Sequence, residues 1–517
     1  MSIIFNKVKN NSNKFPSKIA IVDGDKTITY SALIKQAELI AHFIRKKVNF
    51  NNLRIAICIN EGMQLPIIVL ALNLIKATII PINHGLHIKQ IQHLLASVDA
   101  NAIITDDHKK MDSNDFNPDI VKINLTDLLD LKFKNDDFEP YFSLLNIDSL
   151  KNYDQFLITL SSGSTGNPKP IIFSEENKLA RFDQTVKSYQ IDDHDVVLCA
   201  SPFYHSLGQR LTFLPLLSGG TLCILKIFTA KNWITTVKKN KVTFAIPVSS
   251  HLHEVIDPLM EKPFQFPSLR CLVSSSAAIN DEVKRKLFEE MPCEFHEMYG
   301  ASEVGTATSL NNSQAKLKPK SVGFPNIDVY IKIVNDQMMD CNRNTIGQII
   351  VKSPLASSGY YGLSEITSES FKSGYFLTGD IGYLDDDGFL FFVDRKKDII
   401  ISGGINIYPS DIEVVLNETF GVKESYVLGI YDSFLGEIPV AVIISDAESK
   451  SLENLLRKNV RNKLSGYQRP IKYFFKDKVP LTSSGKVDKR VLRDELNSLK
   501  LNLSSKLLAL YNSQGSN

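Results

Sequence analysis

The sequence predicts an α/β protein with more than one domain. Its 517 residues exceed the ~250–300 at which a single hydrophobic core stops growing. Short β-branched segments alternate with helical periodicity over the first 320 or so residues, and this alternation is typical of mostly parallel sheets. Beyond that point the pattern changes to short strands with tight turns. We therefore expect a large α/β region followed by a smaller region of different character.

Hydrophobic periodicity predicts the elements of the large region. Apolar, β-branched runs predict strands at RIAICI, ATIIPI, NAIITD, FLITL, VVLCAS, TLCIL, TFAIPV and RCLVSS. Amphipathic runs predict helices at SALIKQAELIAHFIRKK, HIKQIQHLLASV and DEVKRKLFEEM. The longest apolar segment, Leu65–Ile82, contains Asn73 and Lys76. It predicts a core helix followed by a buried strand, because a membrane span needs ~20 mostly apolar residues.

Turn chemistry marks the start of the smaller region. The dipeptide Asp387-Gly388 predicts a tight hairpin, since both positions of such a turn favour positive φ. A second α/β-like unit is predicted after it, with elements at DIEVVLNETF, SYVLGI, PVAVIIS and SLENLLRKNV.

The composition argues against several classes of partner. Lys and Arg number 59 against 57 Asp and Glu, so a formal charge of +2 gives no electrostatic footprint for nucleic acid or an anionic membrane. The six cysteines stand singly without a CxxC pair, which predicts buried free thiols in a reducing cytosol. The first residues contain no apolar stretch of signal-peptide length. We expect a cytoplasmic protein without stable membrane insertion, whose partner is a small molecule or a protein.

The segment SSGSTGNPK, residues 161–169, is a candidate phosphate-binding loop. Small residues let consecutive backbone N–H groups form a nest around an anion, and the hydroxyls and Lys169 add further donors. The spacing is not that of a P-loop, which reads G-x-x-x-x-G-K-[ST]. A solvated Ser/Gly turn is the alternative, and the loop alone leaves both open.

Three further motifs follow in order: MYGASEVGT (Met298–Thr306), a long segment from FLTGD to NIYPSDIEVVL (Phe376–Leu416) and PLTSSGKVDKRVLR (Pro480–Arg493). With these motifs the sequence resembles the adenylate-forming superfamily of acyl- and aryl-CoA synthetases, luciferases and nonribosomal-peptide adenylation domains. The resemblance is collinear from about Tyr30 to Arg493. It implies a large N-terminal domain of stacked α/β sheets plus a β-subdomain, residues 1–394. A small mobile α+β C-terminal domain, 395–517, would follow a hinge near Lys397.

The resemblance also implies which residues bind the nucleotide. The loop residues would wrap the β- and γ-phosphates of ATP: Ser161, Ser162, Gly163, Ser164, Thr165, Gly166 and Lys169. Adenine, ribose and α-phosphate contacts are implied for Ser276, Ala277, Glu297, Tyr299, Gly300, Asp380 and Arg395. Among these, Tyr299 matches the adenine-stacking position, Asp380 the ribose acceptor and Arg395 a ribose and phosphate contact.

Catalytic roles are implied for four residues. Glu303 would hold Mg²⁺, a cation that prefers carboxylate oxygen, and the Ser302 hydroxyl would reach the α-phosphate. Lys486 would lie between the substrate carboxylate and the α-phosphate, and His205 beside the thiol tunnel. The tunnel would be completed by Ser402, Gly403 and Gly404.

Two segments depart from the family pattern. The usual P-K-G is Pro168-Lys169-Pro170 here, and the usual S-G-G-A-P is SSSAA, Ser274–Ala278. The first change stiffens the loop exit. The second narrows the space beside the expected acyl site, so the size of the acid pocket is the property in question.

These implications predict ATP-dependent activation of a carboxylic acid as acyl-AMP, followed by transfer to a thiol, CoA foremost. Segments from Phe203–Leu211, Ala245–His251 and Ser274–Ala278 are expected to line the acid pocket. The first contains no acidic residue to neutralise an α-ammonium, so a fatty or aryl acid is favoured over an amino acid. One alternative acceptor is the phosphopantetheine of a carrier protein. Another alternative is a non-catalytic relative that only binds nucleotide or acyl-adenylate.

Overall fold

The computed structural model describes residues 2–48, 52–107, 117–131, 155–160, 168–261, 266–275, 281–432, 435–446, 449–481 and 487–498. The chain divides into two compact units, one of residues 1–330 and 351–376 and the other of 331–350 and 377–517. The predicted domain boundary at 394/395, with its hinge near Lys397, stays a prediction.

The strands up to residue 330 are β1 (Ile19–Asp23), β2 (Lys26–Thr29), β3 (Arg54–Cys58), β4 (Thr78–Pro81), β5 (Ala102–Thr105), β6 (Val121–Asn124), β7 (Leu157–Leu160), β8 (Pro170–Phe173), β9 (Val196–Cys199), β10 (Thr221–Ile224), β11 (Phe244–Ala245), β12 (Cys271–Ser274), β13 (Glu294–Ala301), β14 (Gly305–Leu310) and β15 (Phe324–Pro325). The helices of the first unit are Ile3–Lys14, Tyr30–Lys47, Gln64–Leu74, Ile88–Ser97, Leu125–Leu129, Glu175–Tyr189, Ser206–Ser218, Ala230–Lys239, Ser249–Glu261, Asp281–Glu290, Asn312–Leu317 and Ser364–Ser370.

These strands form two mostly parallel sheets. One has the order β15-β14-β13-β12-β11-β9-β10-β1-β2, and the other β6-β5-β3-β4-β7-β8. Antiparallel pairs occur only toward the sheet edges, at β1–β2, β13–β14, β14–β15 and β7–β8. All eight predicted strands and all three predicted helices of this region are confirmed. The α/β prediction is therefore confirmed for the first unit.

One hydrophobic core joins the two sheets. Its buried residues include Ile55 and Leu157 from one sheet, Val197 and Phe244 from the other, and most of helix Gln64–Leu74. That helix is followed by β4, as the apolar segment predicts. The buried polar residue of the helix, Asn73, is satisfied, because its amide donates to Glu175 Oε1 at 2.8 Å. A mostly apolar helix whose buried amide is paired suits a position between sheets.

The remaining strands form two smaller five-stranded sheets. The strands are β16 (Tyr330–Val334), β17 (Gly347–Lys352), β18 (Phe371–Lys372), β19 (Tyr375–Leu384), β20 (Leu390–Arg395), β21 (Ile400–Ser402), β22 (Ile405–Ile407), β23 (Glu424–Asp432), β24 (Gly436–Ile444) and β25 (Tyr473–Lys476). The first sheet has the order β16-β17-β19-β18 with β20 on β19, and the second β22-β21-β24-β23 with β25 on β24. Helices Pro409–Asn417, Ser449–Lys463 and Lys489–Ser498 complete the second unit, with 3₁₀ turns at Lys396–Asp398 and Gly466–Gln468.

The turn at Asp387-Gly388 differs from the prediction in detail. It does join a hairpin, β19–β20, but Leu384 pairs with Leu390, so five residues lie between the strands. Only Gly388 has positive φ, at 87°. The Gly388 N–H donates to the Asp385 carbonyl at 3.0 Å, which makes a type I-like turn followed by a left-handed glycine. The dipeptide therefore located the hairpin but not its turn type.

All six cysteines are free; Cys341 is half-buried and the other five are buried. None of the helices in the described part of the chain has the length and apolar content that crossing a bilayer requires.

Candidate active site

A tight hairpin carries two of the predicted catalytic residues, Ser302 and Glu303. Strands β13 and β14 are antiparallel, and the register shifts between Tyr299 and Gly300. A Cβ atom on Gly300 would lie 2.0 Å from the carbonyl oxygen of Gly305, so the hairpin closes only without a side chain there. At the tip, Ser302 is exposed and Glu303 is half-buried. The fold thus presents both groups at the end of a rigid element.

Tyr360 contacts both Glu303 and Lys169, the lysine of the predicted phosphate-binding loop. Its hydroxyl donates to Glu303 Oε1 at 3.0 Å, and Lys169 Nζ lies 5.1 Å from the centre of its ring. Burial and the neighbouring carboxylate raise the pKa of Tyr360, so the phenol stays a donor. Sequence analysis missed this residue, although a tyrosine pair between glycines, GYYG, was the available signal. The carboxylate oxygens suit the predicted Mg²⁺, which prefers oxygen ligands.

Hydrogen bonds from Arg181 connect the tip of the β13–β14 hairpin to two other segments of the chain. The guanidinium is buried and donates to three neutral acceptors, the carbonyls of Leu355 and Ser302 and the hydroxyl of Ser206, at 2.9, 2.8 and 3.2 Å. Burial and the nearby Arg210 lower the pKa of Arg181, while Glu303 opposes that shift. A planar five-donor group can hold three segments at once. The sequence analysis did not identify Arg181 as a site residue.

Three cations line a small cavity behind Arg181. Its volume is about 20 Å³, room for about one water molecule. The lining residues are Lys178, Arg181, Phe182, Ser206, Arg210, Phe213 and Leu214. Two of them, Ser206 and Arg210, belong to the segment predicted to line the acid pocket. No carboxylate is among these described lining residues, so the cavity favours an anionic group.

His205 and the start of the pocket helix lie in a closely packed loop. His205 is the N-cap residue of helix Ser206–Ser218, and its ring centre lies 4.5 Å from that of Tyr204. A Cβ atom on Gly208 would lie 2.1 Å from the carbonyl oxygen of Pro202, so the loop folds directly onto the helix. The role of His205 beside a thiol tunnel stays a prediction.

Glu61 places a carboxylate beside the segment Phe203–Leu211, which contains no acidic residue of its own. It accepts a hydrogen bond from the Phe203 N–H at 2.9 Å. Burial raises the pKa of Glu61 to about 7, although that hydrogen bond opposes the shift. The segment Phe203–Leu211 has no acidic residue of its own, so this contact was invisible to a motif comparison.

Glu297 lies in a buried ion pair. Lys284 Nζ is 2.5 Å from Glu297 Oε2 and also donates to the Ser321 carbonyl at 2.8 Å. This pairing explains a buried carboxylate on β13 without a ligand. The predicted nucleotide contact of Glu297 stays a prediction.

Asp380 and Arg395 come together in the second unit. They face each other across strands β19 and β20, and Arg395 Nε lies 3.2 Å from Asp380 Oδ1. Asp380 is buried, whereas the Arg395 side chain is half exposed. An ion pair orients both groups and leaves the outer face of the guanidinium accessible. Their predicted ribose and phosphate contacts stay predictions.

The predicted hinge and tunnel residues lie close along the chain in this unit. Burial lowers the pKa of Lys397, and Asp398 opposes that shift. Ser402 ends β21, and Gly403 and Gly404 form the turn to β22 with φ of 56° and 84°. Two successive positive φ values define a type I′ hairpin, which glycine adopts without strain.

Several predicted residues lie outside the described part of the chain: Ser161, Ser162, Gly163, Ser164, Thr165, Gly166, Ser276, Ala277 and Lys486. Their roles stay predictions.

The fold and these residues define an enzyme of the adenylate-forming class, and comparison with known proteins assigns the family. The AMP-binding enzyme family model matches residues 8–361, and that of the AMP-binding enzyme C-terminal domain matches residues 411–486. The chain therefore belongs to the AMP-binding enzyme family. The resemblance predicted from the motifs is confirmed.

Relatives of known name support the enzyme class. A 2-succinylbenzoate–CoA ligase of Bacillus licheniformis is 28% identical over 487 residues, which cover 93% of this chain and 98% of the relative. A long-chain-fatty-acid–CoA ligase of Bacillus subtilis is 30% identical over 348 residues, 66% of this chain and 62% of the relative. The predicted enzyme class, an AMP-forming acid–thiol ligase, is confirmed.

Solved structures confirm the fold. The o-succinylbenzoate CoA synthetase of Bacillus subtilis, in complex with its acyl-adenylate intermediate, has a TM-score of 0.83 at 25% identity and covers 95% of this chain and 97% of its own. ATP-bound MatB of Rhodopseudomonas palustris has a TM-score of 0.85 at 21% identity, over 96% and 99% of the two chains.

We expect Tyr360→Phe to slow Mg²⁺-dependent pyrophosphate exchange about tenfold and to raise the Mg²⁺ concentration needed. Phenylalanine keeps the ring beside Lys169 but removes the hydroxyl that orients Glu303, and a hydrogen bond to a charged group contributes about 1.5–3 kcal/mol. Tyr361→Phe is the matched control, because that hydroxyl donates to Asp99 instead. Equal effects of the two substitutions would remove Tyr360 from the metal site.

Glu61→Gln should change how stability depends on pH. The carboxyl has a pKa of about 7 in the folded state against an ordinary 4.5, so the folded protein holds the proton more tightly. The free energy of unfolding therefore falls as pH rises from about 4.5 to about 7. Glutamine keeps the acceptor for the Phe203 N–H without the charge. We expect the variant to match the wild type near pH 4 and to exceed it at pH 8 by about 1–3 kcal/mol.

The measurement is denaturant unfolding across that pH range, with exposed Glu254→Gln as control. Parallel profiles for Glu61→Gln and the wild type would contradict the raised pKa.

Proposed function

We propose that this chain is an aryl-acid–CoA ligase that uses ATP and Mg²⁺ and prefers an acid with a second carboxylate. The observation that carries the substrate proposal is the cluster of Lys178, Arg181 and Arg210 beside the pocket helix. The cavity that they line holds about one water molecule, so these side chains would move apart to admit a carboxylate. A relative matched over nearly its whole length is a 2-succinylbenzoate–CoA ligase, which supports an aryl acid. CoA as acceptor is supported by the same relative.

The partners of the three cations explain the preference for an anion. Lys178 Nζ donates to Gln209 Oε1 at 2.6 Å, and Arg210 Nη1 lies 3.4 Å from the Met298 sulfur, a weak acceptor. Within the described part of the chain, the three hydrogen bonds of Arg181 go to neutral acceptors. Positive charge in a low-dielectric site with neutral acceptors attracts a carboxylate and repels an ammonium. The cavity therefore supports the expectation that an α-amino acid is disfavoured.

In the first half-reaction a substrate carboxylate oxygen attacks the α-phosphorus of ATP. The new acyl–oxygen–phosphorus linkage forms as the bond to pyrophosphate breaks, which turns a poor leaving group into AMP. Ser302 and Lys486 would donate to the α-phosphoryl oxygens as their charge grows. Glu303, oriented by Tyr360, would hold Mg²⁺, which offsets phosphate charge when bound. Asp380 would accept from ribose, and Arg395 would contact ribose and phosphate.

In the second half-reaction a thiol attacks the acyl carbonyl and AMP leaves. The Gly403-Gly404 turn bears no side chain, which suits close approach of a pantetheine arm to its backbone. Lys397 would be the pivot between the half-reactions. A carrier-protein acceptor is the alternative; AMP release with CoA or with a purified carrier protein distinguishes the two. A cytoplasmic location, which the six free cysteines support, belongs to this proposal.

We expect pyrophosphate exchange to be faster with 2-succinylbenzoate than with benzoate, and Arg210→Met to remove most of that preference. The loss should be about 10–100-fold in kcat/KM for the dicarboxylate, because a charged hydrogen bond contributes about 1.5–3 kcal/mol. Benzoate should change little. The exposed Arg285→Met serves as control.

Robust exchange with proteinogenic amino acids alone would overturn the substrate proposal. Equal loss for both aryl acids in Arg210→Met would assign Arg210 to the protein scaffold.

Lys486→Ala and Lys397→Pro should separate the half-reactions. Lys486→Ala should lose ~10²–10³-fold in adenylate formation, the usual effect of removing one charge-stabilising donor, and should still convert supplied acyl-adenylate and CoA to thioester. Lys397→Pro should do the reverse, because proline fixes φ at the pivot. Lys397→Ala controls for the side chain. Both half-reactions are assayed for each variant, and equal losses in both would contradict the pivot.

A further inference from the structure

A second cluster of reactive side chains lies at the amino-terminal ends of β12 and β13. In this parallel pair Cys271 is opposite Glu294, and Val273 is opposite His296. Cys271, Glu294 and His296 therefore project from the same face of the sheet. One thiol sulfur, one carboxylate oxygen and one imidazole nitrogen from these residues all lie within 4.8 Å of one another. The predicted catalytic residues Ser302 and Glu303 lie beyond the other end of β13.

The imidazole of His296 is held in a defined orientation. Its Nδ1 lies 3.4 Å from the Ser309 hydroxyl, and the Tyr189 ring packs edge-on against it at 4.9 Å. Nε2 is buried and has no well-aligned hydrogen bond to any described residue, although Glu294 Oε1 is 3.0 Å away.

The donor set is one that zinc prefers. Zn²⁺ binds thiolate, imidazole and carboxylate in tetrahedral sites, often with water as the fourth ligand. We propose that Cys271, Glu294 and His296 bind one Zn²⁺ ion. In the tautomer that the proposed site requires, Nδ1 donates to the Ser309 hydroxyl and Nε2 carries the lone pair that binds the metal, which is the usual support for a metal-bound histidine.

The exposure of the three side chains indicates how zinc would reach the site, and the chemistry of the thiol indicates which proton is released. Cys271 is fully buried, whereas the Glu294 side chain is 47% exposed and opens the site to solvent. Zinc binding replaces the thiol proton of Cys271, so one proton passes to solvent for each ion bound and a sulfur–zinc bond forms. No oxidant or reductant is needed.

The site differs in kind from the proposed Mg²⁺ position and from a surface cluster. Mg²⁺ prefers oxygen ligands and binds thiolate poorly, so the magnesium of the proposed reaction does not compete. Asp192, Asp193 and His194 also converge, but they are mostly exposed and include no thiol. That cluster supplies a matched control for loosely held metal.

The ion would tie two central strands together. It would link β12 to β13 at the opposite end of β13 from Ser302 and Glu303. Zinc should therefore raise the thermal unfolding midpoint of the full-length protein, because a ligand that binds only the folded state stabilises it.

The test uses full-length protein treated with a chelator, dialysed and titrated with Zn²⁺ in excess Mg²⁺. Bound zinc is measured by mass spectrometry and by competition with a chromogenic chelator. Co²⁺ is then used as a spectroscopic probe, since a thiolate ligand gives a charge-transfer band in the near ultraviolet. We expect one tightly bound ion and that band in the wild type. Cys271→Ser should lose the band and His296→Gln the tight binding, while His194→Ala and Cys341→Ser keep both.

Glu294→Gln tests the site without the risk of misfolding that the buried positions bring, because this half-exposed side chain can be changed without disturbing the core. It should weaken zinc binding at least tenfold while leaving the metal-free unfolding midpoint unchanged. Wild-type protein that retains no zinc would overturn the proposal. Binding lost in His194→Ala but kept in Glu294→Gln would assign the metal to the surface cluster and would also overturn it.

Discussion

The buried guanidinium of Arg181 is the contact on which the candidate site of the first unit depends. Its donors reach the helix that begins at Ser206, the segment at Leu355 and the hairpin tip at Ser302. These segments are far apart in sequence, and one planar group fixes their spacing because its donors are rigid relative to one another. Loss of the group would leave three acceptors without their donor, at about 1–3 kcal/mol for each that is buried. The position of Glu303, next to Ser302, follows from this anchor.

The same cation is energetically unusual, because the acceptors it meets are neutral. Lys178 and Arg210 add like charges nearby, and burial lowers the pKa of both. Glu303 offsets only part of this buried positive charge, so the cluster is a poor device for stability alone. The cluster is better explained as a binding site for an anion, because a bound anion would offset the repulsion among the three cations. Perturbed charges in a cavity beside candidate catalytic residues are typical of functional sites.

Local periodicity was enough to predict eight strands, three amphipathic helices and the core helix of the first unit, because each depends on which face of a short segment is buried. The β19–β20 turn was misjudged in type, because the register Leu384–Leu390 sets the loop length and a dipeptide does not encode register. Tyr360 and Glu61 were missed for a related reason. Tyr360 contacts a residue 57 positions away and Glu61 one 142 positions away, and no spacing along the chain reports such contacts.

Packing also distinguishes two kinds of residue on β13 and its turn: those that the fold requires and those that are candidates for ligand binding. Gly300 is required because a Cβ would collide with the Gly305 carbonyl, and Glu297 is accounted for by its buried ion pair with Lys284. Ser302 is different: its side chain is exposed at the tip, where neither packing nor strand pairing demands a hydroxyl. A polar residue that the fold does not need, next to a carboxylate oriented by a buried tyrosine, is consistent with the predicted α-phosphate contact of Ser302. By the same criterion the nucleotide role of Glu297 has the weaker physical support, although both residues belong to the same motif region.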